Sequence, residues 1–260
     1  MPQSDSGKEH IKELKPDKSH DKGCATKHEK DYKSDRCSYR YQGHKATTGD
    51  DRKKALYELD FTQPDHAARL PGGPDEELKR GFKNLEDNKR TPDDPRVDKT
   101  AWHFGGENYK TAYLPFNHNY HHILPFESLK QLSYDELKLL QESGYNLNDG
   151  VNLIILPCLN THAFALMLPA HPHNHVEYNK HVKNLLSRLK QKLEQAAADH
   201  KLNPQNVGDL KSDLEGWERD EYWIIVDYGV EVAKGKNRAA IINNAPVANH
   251  KTPQGTWTTQ

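Results

Sequence analysis

Apolar side chains are sparse and aperiodic over residues 1–55, then gather beyond Trp102 into segments with recognisable periods. The stretch Tyr120–Leu124 (YHHIL) reads as a short β-prone run. Ser133 with Glu136 three residues later, then Leu137, Leu140 and a stop at Gly144, predicts a capped helix. The turn cluster NLNDG precedes Val151–Leu156 (VNLIIL), which reads as a buried strand ended by Pro157. A loop of undefined form runs to Ala170. The longest helix is expected from Pro172 to about His200, because Val176, Tyr178, Val182, Leu185, Leu186, Leu189 and Leu193 recur at three- and four-residue steps. A further helix is expected over about 204–219, opened by Asn203-Pro204, and EYWIIVDYGVEV reads as a strand after it. A short helix is expected over 75–87.

These elements suggest four regions: a polar leader over 1–55, poorly ordered or delivery-related; a linker with a short helix over 56–100; a compact α+β domain over 101–233; and a polar tail over 234–260. A hydrophobic content of 34% and a mean hydropathy of −1.02 agree that part of the chain stays outside a core. Net charge is −1 overall, and none of the segments 1–100, 101–200 and 201–260 is strongly basic. That disfavours a protein gripping a long duplex through many phosphates, but allows an enzyme that holds a few. Three cysteines give no disulfide framework. No apolar run reaches membrane-spanning length, so no membrane partner is expected. The opening MPQSDSGKEH lacks the character of a signal peptide.

Sixteen histidines shift attention to metal chemistry. His171 and His175 are four apart, a spacing that puts two imidazoles on one helical face. His121 and His122 are adjacent on a strand, so they point to opposite faces. One can ligate a metal with the helical pair while the other stands off as a base. Asn152, on the next strand, is the expected residue to hold that base by its ring N–H. Three neutral imidazoles suit borderline ions such as zinc or nickel and leave coordination positions open. A second possible metal set, Cys24 and Cys37 with His20, His28 and His44, lacks any CxxC pair, and a solvated leader explains it more simply. His175-Val-Glu177 mimics a deaminase motif in the wrong order, and no HExxH is present.

The blocks YHHILP (120–125), GYNLNDGVNLIILP (144–157) and HPHNHVEYN (171–179), in this order, resemble the HNH/endonuclease VII superfamily. They resemble most its AHH branch, found largely as bacterial toxin modules. The likeness covers about 115–195. It implies an α+β protein with a ββα-metal (His-Me finger) nuclease core, added helices and a poorly ordered leader. By position it implies His121, His171 and His175 as metal ligands, His122 as general base, Asn152 as its orienting residue, and Tyr178 as packing behind the ligands. This chain has Tyr120 where the branch has Ala, and Leu153 where it usually has Gly. The long loop 157–170 contains His162, so His162 and His173 stand beside His171 as candidates for the third ligand.

The implied activity is a metal-dependent endonuclease using one divalent ion (Mg, Mn, Zn or Ni), acting on DNA ahead of RNA, and losing activity as pH falls through the pKa of the base. The resemblance further implies a secreted effector made in a bacterial cytoplasm and active in a target cell. It would have a cognate immunity protein and a secretion apparatus as partners. The competing readings are a zinc-stabilised nucleic-acid-binding or adaptor module without catalysis, and a ribonuclease of the same fold.

Overall fold

The computed structural model describes residues 23–27, 37–60, 63–69, 101–102, 116–172, 175–202 and 209–246. The expected helix over 75–87, together with His20, His28 and His173, lies outside the described residues, as do the side chains of Leu185 and Leu189. In chain order the elements are α1 (Tyr39–Thr48), α2 (Asp51–Ala55), β1 (Leu59–Asp60), α3 (Pro64–Arg69), β2 (Ala101–Trp102), β3 (His118–His122), α4 (Phe126–Leu129), α5 (Tyr134–Glu142), β4 (Leu153–Pro157), α6 (Asn160–Leu166), α7 (Val176–Leu202) and α8 (Leu210–Lys236). Short 3-10 turns occur at Gly150–Asn152 and Ile242–Asn244. The protein is α+β, with small antiparallel sheets among helices.

The central hairpin-like pair is β3 with β4, antiparallel, with His121 opposite Ile154 and His122 opposite Leu153. Every residue of β4 is buried, which explains its continuous apolar run: both of its faces are covered. Between the strands, α5 starts at Ser133 with a complete capping box. The Glu136 N–H donates to Ser133 Oγ at 3.3 Å, and the Ser133 N–H donates to Glu136 Oε2 at 2.6 Å. Gly144 follows with φ +81°, the left-handed conformation a glycine adopts cheaply after a helix.

Four expectations need correction. The apolar stretch EYWIIVDYGVEV is helical, and it forms one continuous α8 with the helix expected before it. Its buried positions, among them Leu214, Trp217, Glu221, Ile225, Gly229 and Val232, recur at helical steps. Trp223 and Ile224 are only half-buried beside the fully packed Ile225, so no two-residue alternation exists. Burial of one helical face overrides the strand propensity of Trp, Ile and Val. The helix then passes so close to the α6–α7 loop that a Cβ at Gly229 would lie 2.4 Å from the Met167 carbonyl oxygen.

The segment expected to be a loose leader contains α1, which lies flat on the β3–β4 pair. A Cβ on Gly43 would come within 2.7 Å of Tyr120 Cδ1. Residues 23–27 are also tied down, with the Gly23 N–H donating to Gln141 O and the Cys24 N–H to Tyr145 O, each at 2.8 Å. Backbone pairing with a folded partner supplies the order that composition alone did not predict. Nor is the start of the tail free. Ala240, Ile242 and Ala245 are buried, and Ile241 bridges Ala170. Finally, the loop 157–170 is in part helical, as α6.

Candidate metal centre and catalytic cleft

The pleat of β3 sends His118, Tyr120 and His122 to one face and Asn119 and His121 to the other. The first group packs under α1: Tyr39 lies 6.2 Å from Tyr120 and 5.1 Å from His122 between ring centroids. The second group faces α7. His121 sits 5.1 Å from His171, 4.7 Å from His175 and 4.9 Å from Tyr178, again between centroids. One nitrogen from each of His121, His171 and His175 lies within 4.8 Å of the others. Imidazoles from a strand, a loop and a helix start thus converge on one atom-sized centre.

The convergence is not achieved by helical spacing. His175 directly precedes α7, and His171 lies in an extended stretch before it. That stretch is pinned on both sides. The His171 N–H donates to the Pro157 carbonyl at 2.7 Å, while Ala170 exchanges backbone hydrogen bonds with Ala240 and Ile242 at 2.8 and 3.0 Å. A chain held in this ladder cannot also close a helical turn, so α7 begins only at Val176. The Asn119 amide lies beside His171, 3.5 Å from its Nδ1, and donates to its carbonyl at 3.4 Å.

The donors suit a cation. His121 Nε2 and His175 Nδ1 are buried and have no hydrogen-bond partner among the described residues, and an orphaned buried nitrogen is costly unless something occupies its lone pair. Burial pushes His121 well below the ordinary imidazole value, and the neighbouring His171 and His175 push it further. Burial also lowers the pKa of His175, so His121 and His175 both resist protonation and present neutral lone pairs. Tyr178 is fully buried behind them, and its hydroxyl donates to the Ile123 carbonyl at 2.8 Å, locking α7 to the end of β3.

His122 opens on the same cleft, of about 290 Å³, from the other face of the strand. Burial lowers its pKa to about 3, helped by the charge of Lys27 and opposed by a side-chain hydrogen bond with Asn148. It is neutral at pH 7, and its Nε2 has no partner among the described residues.

Asn152 does not hold this ring. Its Oδ1 accepts from the Leu124 N–H at 2.6 Å, and its Nδ2 donates to Leu124 O at 3.2 Å and Leu147 O at 2.8 Å. All its capacity goes into fixing the chain after β3. Asn148 makes the contact with His122 instead, and its own Nδ2 is held by Thr26 O at 2.7 Å. Sequence reading took NLNDG only as a turn and missed it. His162 is buried on α6 with its ring 6.3 Å from Phe116 and stands outside the imidazole cluster. Cys24, Cys37 and His44 are buried, the cysteines without a disulfide among the described residues, and they form no three-ligand set among the described residues.

Residues 103–214 match the AHH family, a nuclease family of the HNH/ENDO VII superfamily with conserved AHH. The AHH-family segment covers under half of the chain and contains all three clustered imidazoles, His122, Asn148 and Tyr178. Comparison with curated proteins and with solved structures returns no match. The AHH match points to nuclease chemistry on a nucleic acid substrate. Tyr120 precedes the His121-His122 pair, and its ring fills the space above Gly43 of α1. No described helix is long and apolar enough to cross a membrane.

Proposed function

We propose that this chain is a metal-dependent endonuclease with a ββα-metal core formed by β3, β4 and the start of α7. The observation that carries the reading is the three-imidazole cluster on one face of β3 with a neutral histidine from the other face in the same cleft. His121, His171 and His175 would hold one divalent ion. Such an ion, when bound, supplies charge stabilisation to the scissile phosphate and the departing oxygen. His122 takes a proton from the attacking water at its unpartnered nitrogen. Asn148 orients the ring, in the role first assigned to Asn152. Tyr178 and the backbone bond of His171 fix the ligand geometry.

The decisive assay incubates purified protein with plasmid DNA and with total RNA, each with Mg, Mn, Ni or Zn and with chelator. Cleavage abolished by chelator is the expected result, with DNA cut in preference to RNA. RNA cleavage alone would make the enzyme a ribonuclease. Binding without cleavage under every metal would overturn catalysis in favour of an adaptor. The likeness to toxin modules supports a role as a delivered antibacterial effector with an immunity partner. Expression in a bacterial cytoplasm should then arrest growth, and His122→Ala should relieve the arrest.

A further inference from the structure

The cleft is walled on one side by residues outside the AHH-family segment. Lys27, Tyr39 and Arg40 line it together with His122 and the clustered imidazoles. Lys27 sits over the Tyr39 ring, with Nζ 5.1 Å from the centroid, so the aromatic face helps place the ammonium at the rim. The residue before it, Thr26, is bonded through its carbonyl to Asn148. Cys24 is bridged to Asn146, and the Leu147 N–H donates to Cys24 O at 2.8 Å. The position of Lys27 is therefore built from backbone pairing. Arg40 lies in the first turn of α1, whose Gly43 packs directly on Tyr120. Glu127 is the carboxylate among the cleft-lining side chains, and it is ion-paired with Lys130. Among the described cleft-lining residues, cationic side chains outnumber carboxylates, although the chain as a whole carries −1.

We infer that Lys27 and Arg40, contributed by the N-terminal part of the chain, are substrate-positioning residues that grip backbone phosphates flanking the bond to be cut. The inference rests on the nuclease reading and names the groups that hold its polyanionic substrate. Two cations at one rim act on phosphate charge and carry no base selectivity. They bring the phosphodiester to the imidazole cluster and His122, so their loss falls mainly on KM.

The test measures binding of a fluorescein-labelled single-stranded DNA oligonucleotide in chelator across a salt series, alongside KM and kcat with metal. Lys27→Ala and Arg40→Ala should each weaken binding roughly fivefold or more and lower the salt slope by about one. KM should rise by a similar factor, with a smaller change in kcat. Lys27→Arg should restore both. Lys45→Ala, which removes an exposed charge from α1 away from the cleft, is the control. If wild-type protein cuts nucleic acid while Lys27→Ala and Arg40→Ala match it in slope and KM, this inference is overturned and the nuclease reading stands. Equal effects from Lys45→Ala would also overturn it, as a bulk charge effect. If wild-type protein neither binds nor cuts, the nuclease reading falls and takes this one with it. Where binding in chelator is too weak to read, the KM series decides.

Discussion

The two faces of β3 carry the same kind of residue in very different surroundings. His121 looks toward α7, where two further imidazoles and a buried tyrosine ring enclose it. His122, the next residue, looks toward α1, where it meets the Tyr39 ring and the Asn148 amide. The pleat alone separates them. Nitrogen atoms on the first face converge on a shared point and suit a cation. The ring on the second face has one oriented contact and one unpartnered nitrogen, which suits proton transfer. A two-residue sequence thus delivers two chemistries because each face packs against a different helix.

The largest effects should come from exchanging these roles. His121→Ala should abolish both tight metal binding, read by calorimetry, and cleavage. His122→Ala should keep metal binding while lowering turnover by about 10²- to 10⁴-fold. Equal loss of metal affinity in both variants would erase the distinction between the faces. The next contrast is Asn148 against Asn152. Asn148→Ala should lower turnover roughly 10- to 100-fold, by analogy with other orienting contacts, when assayed well below its melting transition. Asn152→Ala should instead lower stability by about 1–3 kcal/mol, because it strands buried backbone groups of Leu124 and Leu147. An Asn152 variant with full stability and crippled turnover would reverse the assignment.

That pair also shows where sequence reading ends. The clustering of His121, His171 and His175 was legible because histidines are chemically distinctive and their blocks occur in a recognisable order. The capping box at Ser133 was legible because its contacts are local. Asn148 was hidden because its role depends on Thr26, more than a hundred residues away in the chain. For the same reason α1 was not foreseen. Its packing on β3 and β4 relies on the absence of a side chain at Gly43, a feature that shows no period. The run WIIV misled because β-branched and aromatic residues fit a buried helix face as well as a strand.

Smaller effects test the α1 side of the strand. His118 is fully buried on that face, its Nδ1 donating to Phe116 O at 2.6 Å. Burial lowers its pKa from 6.5 to about 4. The folded state therefore prefers the neutral ring. Its contribution is complete above the unfolded value near 6.5 and is lost as pH falls toward 4, amounting to about 3 kcal/mol over that window. Urea unfolding at pH 7 and pH 4.5 should show this loss, and His118→Phe should flatten part of it. An unchanged slope in the variant would remove His118 from the account.

The smallest expected effect is at Gly43. Adding a methyl group there forces Tyr120 or α1 to shift and should cost about 1–3 kcal/mol in thermal or denaturant unfolding. The cost should shrink when Tyr120 is also changed to Ala. Strict additivity of the two substitutions would mean that the helix does not rest on that ring.

The stretch around Ile241 acts as a clasp on the loop that carries His171. It crosses from beyond α8 to bond both sides of Ala170, and Asn243 then accepts the Glu177 N–H at 2.9 Å, at the beginning of α7. Two of the three clustered imidazoles therefore hang from a stretch of chain downstream of the AHH-family boundary. Trimming the polypeptide at residue 214 would leave all three imidazoles in the sequence while unfastening the strap that spaces them. Proteolytic nicking near Asn237 should register first as a loosened His171, well before the hairpin itself melts.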